Sequence, residues 1–140
     1  MSHVSKIEIE ITDLHCLKQA CQRLGLEFRE GQREYVWYGR LVNPQNTPLP
    51  EGITEKDLGK CHHAIHISNA SYEIGIIERG HKFLLLADFW DTRLKNAIGD
   101  GGGKLKQAYG AERTIQEARR RNYRVVEQTT ASGIRLILSS

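Results

Sequence analysis

The chain has 140 residues, of which 39% are hydrophobic and 26% charged, and this suits one globular domain with its own hydrophobic core. No apolar run approaches the roughly 20 residues needed to cross a bilayer, so we expect no membrane contact. The formal net charge is only +3, and Cys16, Cys21 and Cys61 follow no secretory signal, which predicts reduced thiols. We therefore predict a single cytoplasmic domain over residues 1–140.

The first predicted elements are a strand and a helix. Ile7, Ile9 and Ile11 alternate with charged residues, which indicates a strand with one face exposed to water. Asp13 is placed to cap the helix that follows, because leucines then recur at helical spacing until Gly25 stops the pattern.

The middle of the chain is predicted to be extended, with one long loop. An aromatic, strand-prone region covers about residues 28–41. Residues 43–59 contain all three prolines and are interpreted as a surface loop, either functional or a tolerated insertion. Three further strands are predicted at about 61–67, 72–78 and 83–88, with a hairpin turn at Gly80. The last of them is apolar on both faces, which predicts a position inside the sheet.

The C-terminal third is predicted to contain a helix and a hairpin. A glycine-rich stretch at 99–103 precedes a helix over about 104–122, and strands at 124–128 and 134–138 follow. Four residues share the apolar face of this helix: Ala108, Ala111, Ile115 and Ala118. Because hairpins join most strands, we predict an α+β fold, with a mainly antiparallel sheet and two principal helices packed on one face.

One hydrophobic core is predicted from the apolar side of each element. Its expected members are Ile7, Ile9, Leu17, Leu24, Leu85, Ile115 and Leu136.

Several short segments together resemble one known family. They are Met1-Ser2-His3-Val4-Ser5, Cys61-His62-His63-Ala64-Ile65, Ala70-Ser71-Tyr72-Glu73-Ile74-Gly75, Ala87-Asp88-Phe89-Trp90, Leu105-Lys106-Gln107-Ala108-Tyr109 and Gly133-Ile134-Arg135-Leu136. In order and spacing they resemble the hypothetical chloroplast reading frame 35 family, also called domain of unknown function 1257, over nearly the full chain. The family offers no catalytic residues, and its bacterial genes often lie near an AAA-type ATPase, which implies an accessory or adaptor role. The loop at 43–59 is a departure, because plastid members are shorter there.

The glycine-rich stretch at 99–103 invites comparison with phosphate-binding loops, since backbone N–H groups at a helix N-terminus favour anions. A P-loop needs a glycine six residues before its lysine and a Ser or Thr after it, but Ile98 and Leu105 hold these positions around Lys104. We therefore predict no nucleotide hydrolysis. A flexible loop and a simple anion cradle both stay open.

Cys61 and His63 are the weak candidates for a metal site. They share one face of a regular strand, but a zinc site needs three or four ligands and no spacing supplies the rest. The alternative is a buried cysteine with surface histidines, and we predict no metal and no cofactor. Asp88 and Asp91 flank two aromatic residues at a strand end, where the alternatives are a small binding site and a capped turn.

The strongest candidate site is a basic stripe on the C-terminal helix. Residues 93–124 contain nine Lys and Arg against three acids, a charge of +6 that leaves −3 for the remainder. The predicted partner-binding residues are Lys106, Arg113, Arg120, Arg121 and Arg124. A spacing of seven residues keeps the first three on one side of a helix. An acidic protein, nucleic acid, and a solvated face without a partner are the three interpretations of this stripe.

These observations favour a non-enzymatic binding or adaptor protein, accessory to an AAA-type ATPase as the family resemblance implies. A nucleic-acid-binding accessory protein acting through the basic helix is the second hypothesis, and a small metal-dependent enzyme is the third. No catalytic residue is predicted, since no local signature such as a nucleophile elbow is present.

Overall fold

A computed structural model describes residues 4–39, 49–50 and 52–140. Its main sheet is formed by five strands: β1 (Val4–Lys6), β2 (Glu27–Glu30), β3 (His63–His66), β4 (Ile74–Arg79) and β5 (Lys82–Asp88). Hydrogen-bonded neighbours follow the order β1-β5-β4-β3-β2, and every pair is antiparallel. β5 therefore lies inside the sheet, as its two apolar faces predict.

Three α-helices and a separate hairpin complete the regular structure of the described residues, apart from two short 3₁₀ turns. The helices are α1 (Leu14–Arg23), α2 (Thr92–Ile98) and α3 (Gly103–Arg120), and the hairpin consists of β6 (Arg124–Thr130) and β7 (Gly133–Ser139). The predicted α+β class and antiparallel sheet are confirmed, with α1 and α3 as the two principal helices. No helix within 4–39, 49–50 and 52–140 combines the length and apolar composition that a bilayer crossing requires.

The helices lie against one face of the sheet. The fully buried residues on this side include Ile65, Ile74, Ile76 and Leu85 from the sheet and Leu17, Cys21, Leu94, Ile98 and Leu105 from the helices. Asp13 caps α1 as predicted, since its Oδ1 accepts the Cys16 N–H at 2.9 Å. The Tyr109 hydroxyl accepts the Asp13 N–H at 3.1 Å, so the start of α1 is fixed to α3.

Irregular chain, not helices, covers the opposite face of the sheet. Tyr35, Ile53 and Leu58 are buried there together with Ala64 of β3 and Leu86 of β5. Each face of the sheet thus has its own hydrophobic cluster, and the α+β class by itself predicts only the helical one.

The surface loop predicted over 43–59 lies only partly within the described chain, because 43–48 and 51 fall outside it. Where it is described, Ile53 and Leu58 are only 6% and 9% exposed. This part of the segment is therefore structural, because it closes the second cluster.

Two predicted strands are shorter than expected. Regular pairing of β1 ends at Lys6. Beyond it, the Ile7 N–H still donates to Leu85 O at 2.9 Å, and an isolated bridge joins Ile11 to Phe83 of β5. β2 ends at Glu30, because Gly31 has a φ of 77° and so leaves the extended conformation. Beyond it, the region predicted to be extended makes one isolated bridge, and its residues 40 and 41 lie outside the described chain.

The predicted core is largely confirmed. Ile7, Leu17 and Leu85 are buried in it, and Ile9 and Leu24 pack at its margin. Ile115 is buried but belongs to neither cluster. The prediction for Leu136 is wrong: it is half-buried and outside both clusters, because β6 and β7 form their own sheet and do not join the main one.

Candidate protein-binding groove

The C-terminus of α3 ends in a turn that directs the chain into the hairpin. Asn122 has a φ of 63°, a left-handed conformation that asparagine tolerates better than most residues. Its N–H donates to Arg119 O at 3.0 Å, and the Tyr123 N–H donates to Ala118 O at 2.9 Å. These two bonds define a Schellman motif, which brings Tyr123 back beside Ala118.

The hairpin lies along α3. Seven residue pairs join its strands, from Arg124 opposite Ser139 to Thr130 opposite Gly133. Gly133 packs so closely on α3 that a Cβ atom there would overlap the amide of Gln107. The hairpin therefore starts at the C-terminus of α3 and meets its N-terminal half at the tip.

Arg23 ties the hairpin to both principal helices. As the last residue of α1, it contacts Glu112 of α3 through Nη2 and Oε1 at 2.8 Å, and it also pairs with Glu127 of β6. The side chains of Arg23 and Glu112 are 22% and 18% exposed, so this ion pair is partly shielded from water. One guanidinium thus joins three elements.

A groove of about 520 Å³ lies between the C-terminal half of α3 and β7. We call it the α3–β7 groove. It is lined by Arg113, Thr114, Gln116, Glu117, Ala118, Arg120, Arg121, Tyr123 and Leu138. Three arginines against one glutamate leave a formal charge of +2 in the lining, and two exposed hydrophobic side chains, 41% for Tyr123 and 44% for Leu138, lie among them.

The groove arginines are held by acidic neighbours but stay accessible. Glu117 contacts Nη1 of Arg120 at 3.4 Å and Nε of Arg121 at 2.9 Å, and the side chains of both arginines are 69% exposed. Arg113 contacts Asp13 at 3.5 Å. A guanidinium carries five N–H donors, so one such contact leaves most of them able to bind an incoming carboxylate.

Asp13 links this side of the groove to α1. Burial acts to raise its pKa, but hydrogen bonds from the Cys16 backbone and the Gln116 amide, together with the charge of Arg113, hold that pKa below its usual value. Asp13 therefore stays ionised and fixes Arg113 and Gln116 of α3 at the start of α1.

The structure brings together three of the five predicted partner-binding residues. Arg113, Arg120 and Arg121 line the groove, whereas Lys106 and Arg124 do not. Lys106 is half-buried two turns before Arg113. Arg124 lies on the face of the hairpin that points away from Leu138. Leu138 pairs with Val125 and shares its face, and side chains alternate along a strand, so the neighbouring Arg124 points the other way.

Sequence reasoning missed the apolar part of the groove. Tyr123 stands out only as an aromatic residue near the stripe, and Leu138 only as one end of a strand. The alternation of Leu136 and Leu138 indicates one apolar face of β7, but the position of that face against α3 depends on the turn at Asn122.

The expectation that Cys61 and His63 share one face of a strand is wrong, because the chain bends at His62 and the two side chains reach opposite faces of the sheet. Cys61 lies in the cluster with Tyr35, whereas the His63 ring centroid is 5.6 Å from that of Phe28 on the helical side. Burial raises the pKa of Cys61 to about 11, which disfavours the thiolate that a metal requires. Within residues 4–39, 49–50 and 52–140, no three His, Cys, Asp or Glu side chains are grouped to hold a metal.

The glycine-rich stretch connects two helices and does not follow a strand. Its residues 100–102 form a 3₁₀ turn between α2 and α3, and a Cβ atom on Gly102 would lie 2.7 Å from Ile7. Close packing against Ile7 is therefore one reason for glycine here. The context therefore differs from that of a P-loop, in which a strand leads directly into the loop.

Asp91 is the N-cap of α2. One of its carboxylate oxygens accepts the N–H groups of Arg93 and Leu94, and the other accepts those of Ser71 and Tyr72 at 2.7 and 2.9 Å. Of the two interpretations of this strand end, the structure supports the capped turn.

Comparisons with known proteins add no identification: no family model, no curated protein and no solved structure matched the chain. The family resemblance seen in the sequence therefore stays a prediction.

Proposed function

We propose that this protein is a non-enzymatic adaptor that binds an acidic segment of a protein partner in the α3–β7 groove. The observation that carries the proposal is the convergence of Arg113, Arg120 and Arg121 on one groove with accessible guanidinium groups. Arginine binds carboxylates through paired N–H donors, and such contacts are stronger than neutral hydrogen bonds. The family resemblance makes an AAA-type ATPase the first partner to test.

A protein partner suits this groove better than nucleic acid does. Sequence-independent binding of DNA depends on many phosphate contacts, on the order of 6–10 in well-studied cases. The groove offers three arginines, and Glu117 between two of them opposes a continuous phosphate track. A short acidic segment needs only two or three such contacts.

The proposal is tested with a fluorescein-labelled peptide of glutamate and glycine, followed by fluorescence anisotropy. The groove variant carries Arg120→Gln and Arg121→Gln. The matched control carries Lys106→Gln and Arg124→Gln, which removes the same charge outside the groove. We expect the wild type and the control to bind the peptide and the groove variant to bind at least several-fold more weakly, with all affinities falling as salt is added.

Two results would reject the proposal. Equal weakening by both variants would mean that overall charge, and not the groove, attracts the peptide. Tighter binding of an arbitrary DNA duplex than of the peptide, with a steep dependence on salt, would favour the nucleic-acid hypothesis instead.

A further inference from the structure

The apolar part of the α3–β7 groove carries information about the ligand that the arginines do not. Tyr123 and Leu138 come from different elements, the turn after α3 and the end of β7, and they meet in the same groove. Both are more than 40% exposed, although Ala118 of α3, which lines the same groove, is buried. Large hydrophobic side chains exposed inside a concave, charged groove are typical of a binding site.

From this arrangement we infer that the ligand is an acidic peptide segment with one large apolar side chain, leucine or phenylalanine, flanked by carboxylates. The inference rests on the proposed function and adds the apolar anchor to it. The anchor covers Tyr123 and Leu138, and the flanking carboxylates reach the arginines of the same groove, Arg113, Arg120 and Arg121. A groove of about 520 Å³ accommodates a few side chains of this kind.

The spacing of the arginines fits such a segment. Arg113 and Arg120 are seven residues apart on α3, and a rise of 1.5 Å per residue separates them by about 10 Å. An extended peptide covers this distance with about three residues. An acidic residue at each end of a three-residue segment can therefore reach Arg113 and Arg120 together.

The two parts of the groove should act on different kinetic constants. Exposed arginines mainly raise the rate of association and lose their effect in salt. Burial of the apolar anchor should mainly slow dissociation, because contacts made only in the bound state govern the lifetime of a complex.

The test uses two fluorescein-labelled peptides of glutamates that differ only at the central position, leucine in one and alanine in the other. The groove variant is Leu138→Thr. Its matched control is Ile137→Thr. Ile137 directly precedes Leu138 in β7, lies on the other face of the hairpin and is 38% exposed. We expect Leu138→Thr to weaken binding of the leucine peptide about tenfold, chiefly through faster dissociation, and Ile137→Thr to change it less than about twofold.

A second measurement keeps the inference testable if Leu138→Thr loosens the hairpin. The wild type alone should bind the leucine peptide about tenfold more tightly than the alanine peptide. Equal affinities, or no binding of the leucine peptide, would overturn the inference. If neither peptide identity nor Leu138→Thr matters while Arg120→Gln/Arg121→Gln still weakens binding, the apolar anchor is wrong and the proposed function stands. If the arginine variant also has no effect, both are wrong.

Discussion

Replacing Gly75 with alanine should destabilise the protein, because Tyr35 fills the space that a side chain needs. Gly75 lies in β4 with the Tyr35 ring against it, and a Cβ atom there would overlap two ring carbons and lie 3.0 Å from Cγ. The ring has little freedom to withdraw. The Tyr35 N–H donates to Gly59 O at 3.1 Å, and the next residue exchanges hydrogen bonds with Glu73 in both directions.

The expected magnitude follows from overpacking, which typically costs about 1–3 kcal/mol. With about 2.1 cal/mol/K per residue, the unfolding entropy of the 140 residues is about 0.3 kcal/mol/K, so Tm should fall by about 3–10 °C. Gly110→Ala is the control for the same chemical change. Gly110 is exposed within α3 with no atom close to an added Cβ, so the gain in helix propensity of up to about 1 kcal/mol should raise Tm by up to about 3 °C.

Thermal unfolding followed by circular dichroism measures both variants, and a double-mutant cycle isolates the cause. In a Tyr35→Ala background the ring is absent, so adding Gly75→Ala should cost nothing further. The reasoning is refuted if Gly75→Ala matches the wild type, or if it costs as much without the ring as with it.

Three further predictions concern the hairpin, a histidine and the metal hypothesis. Arg23→Met removes the ion pairs that tie the hairpin to the helices, so it should destabilise the protein by about 1–3 kcal/mol. It should also reduce amide-exchange protection in β6 and β7 more than in β4. The surface change Lys18→Met should have neither effect. Burial lowers the pKa of His63, so the folded state prefers the neutral ring. The free energy of unfolding, measured with urea, should therefore fall as the pH drops below about 6.5. His63→Gln should make this fall less steep, whereas the control His15→Gln, at an exposed position, should not. Protein purified without chelator should contain far less than equimolar zinc by elemental analysis, and stoichiometric zinc would revive the metal hypothesis.

Elements that depend on local pattern were predictable from the sequence. The cap at Asp13, the hairpin turn at Gly80 and the apolar face of α3 each follow from residues within a few positions of one another. α2 was not, because its seven residues show too little of a helical period. The capping role of Asp91 becomes clear only when its bonds to the Arg93 and Leu94 N–H groups are seen.

Elements that depend on tertiary packing were not predictable in this way. Cys61 and His63 were expected on one face of a strand. One bend in the backbone, at His62, reverses the alternation of side chains and places them on opposite faces. Leu136 follows the apolar period of its strand, but a period cannot show which sheet the strand joins.

The basic stripe shows the same limit within a single helix. A seven-residue period places Lys106, Arg113 and Arg120 on one side of α3. Which of them line a groove depends on the hairpin, which meets Gln107 at its tip and leaves a groove beside the later turns of α3. The sequence therefore predicts the charge, and the packing of the hairpin determines which arginines line the groove.

That packing also links the proposed binding to the stability of the hairpin. A two-stranded sheet is at best marginally stable alone, so β6 and β7 depend on α3 and on the ion pairs of Arg23. A ligand in the α3–β7 groove touches α3 through its arginines and β7 through Leu138, so it binds only the state in which the hairpin is docked. By mass action such a ligand stabilises that state, and a change that undocks the hairpin weakens binding in proportion to the fraction of molecules that stay docked. Arg23, which lies outside the groove lining, should therefore affect affinity through the docking of the hairpin alone.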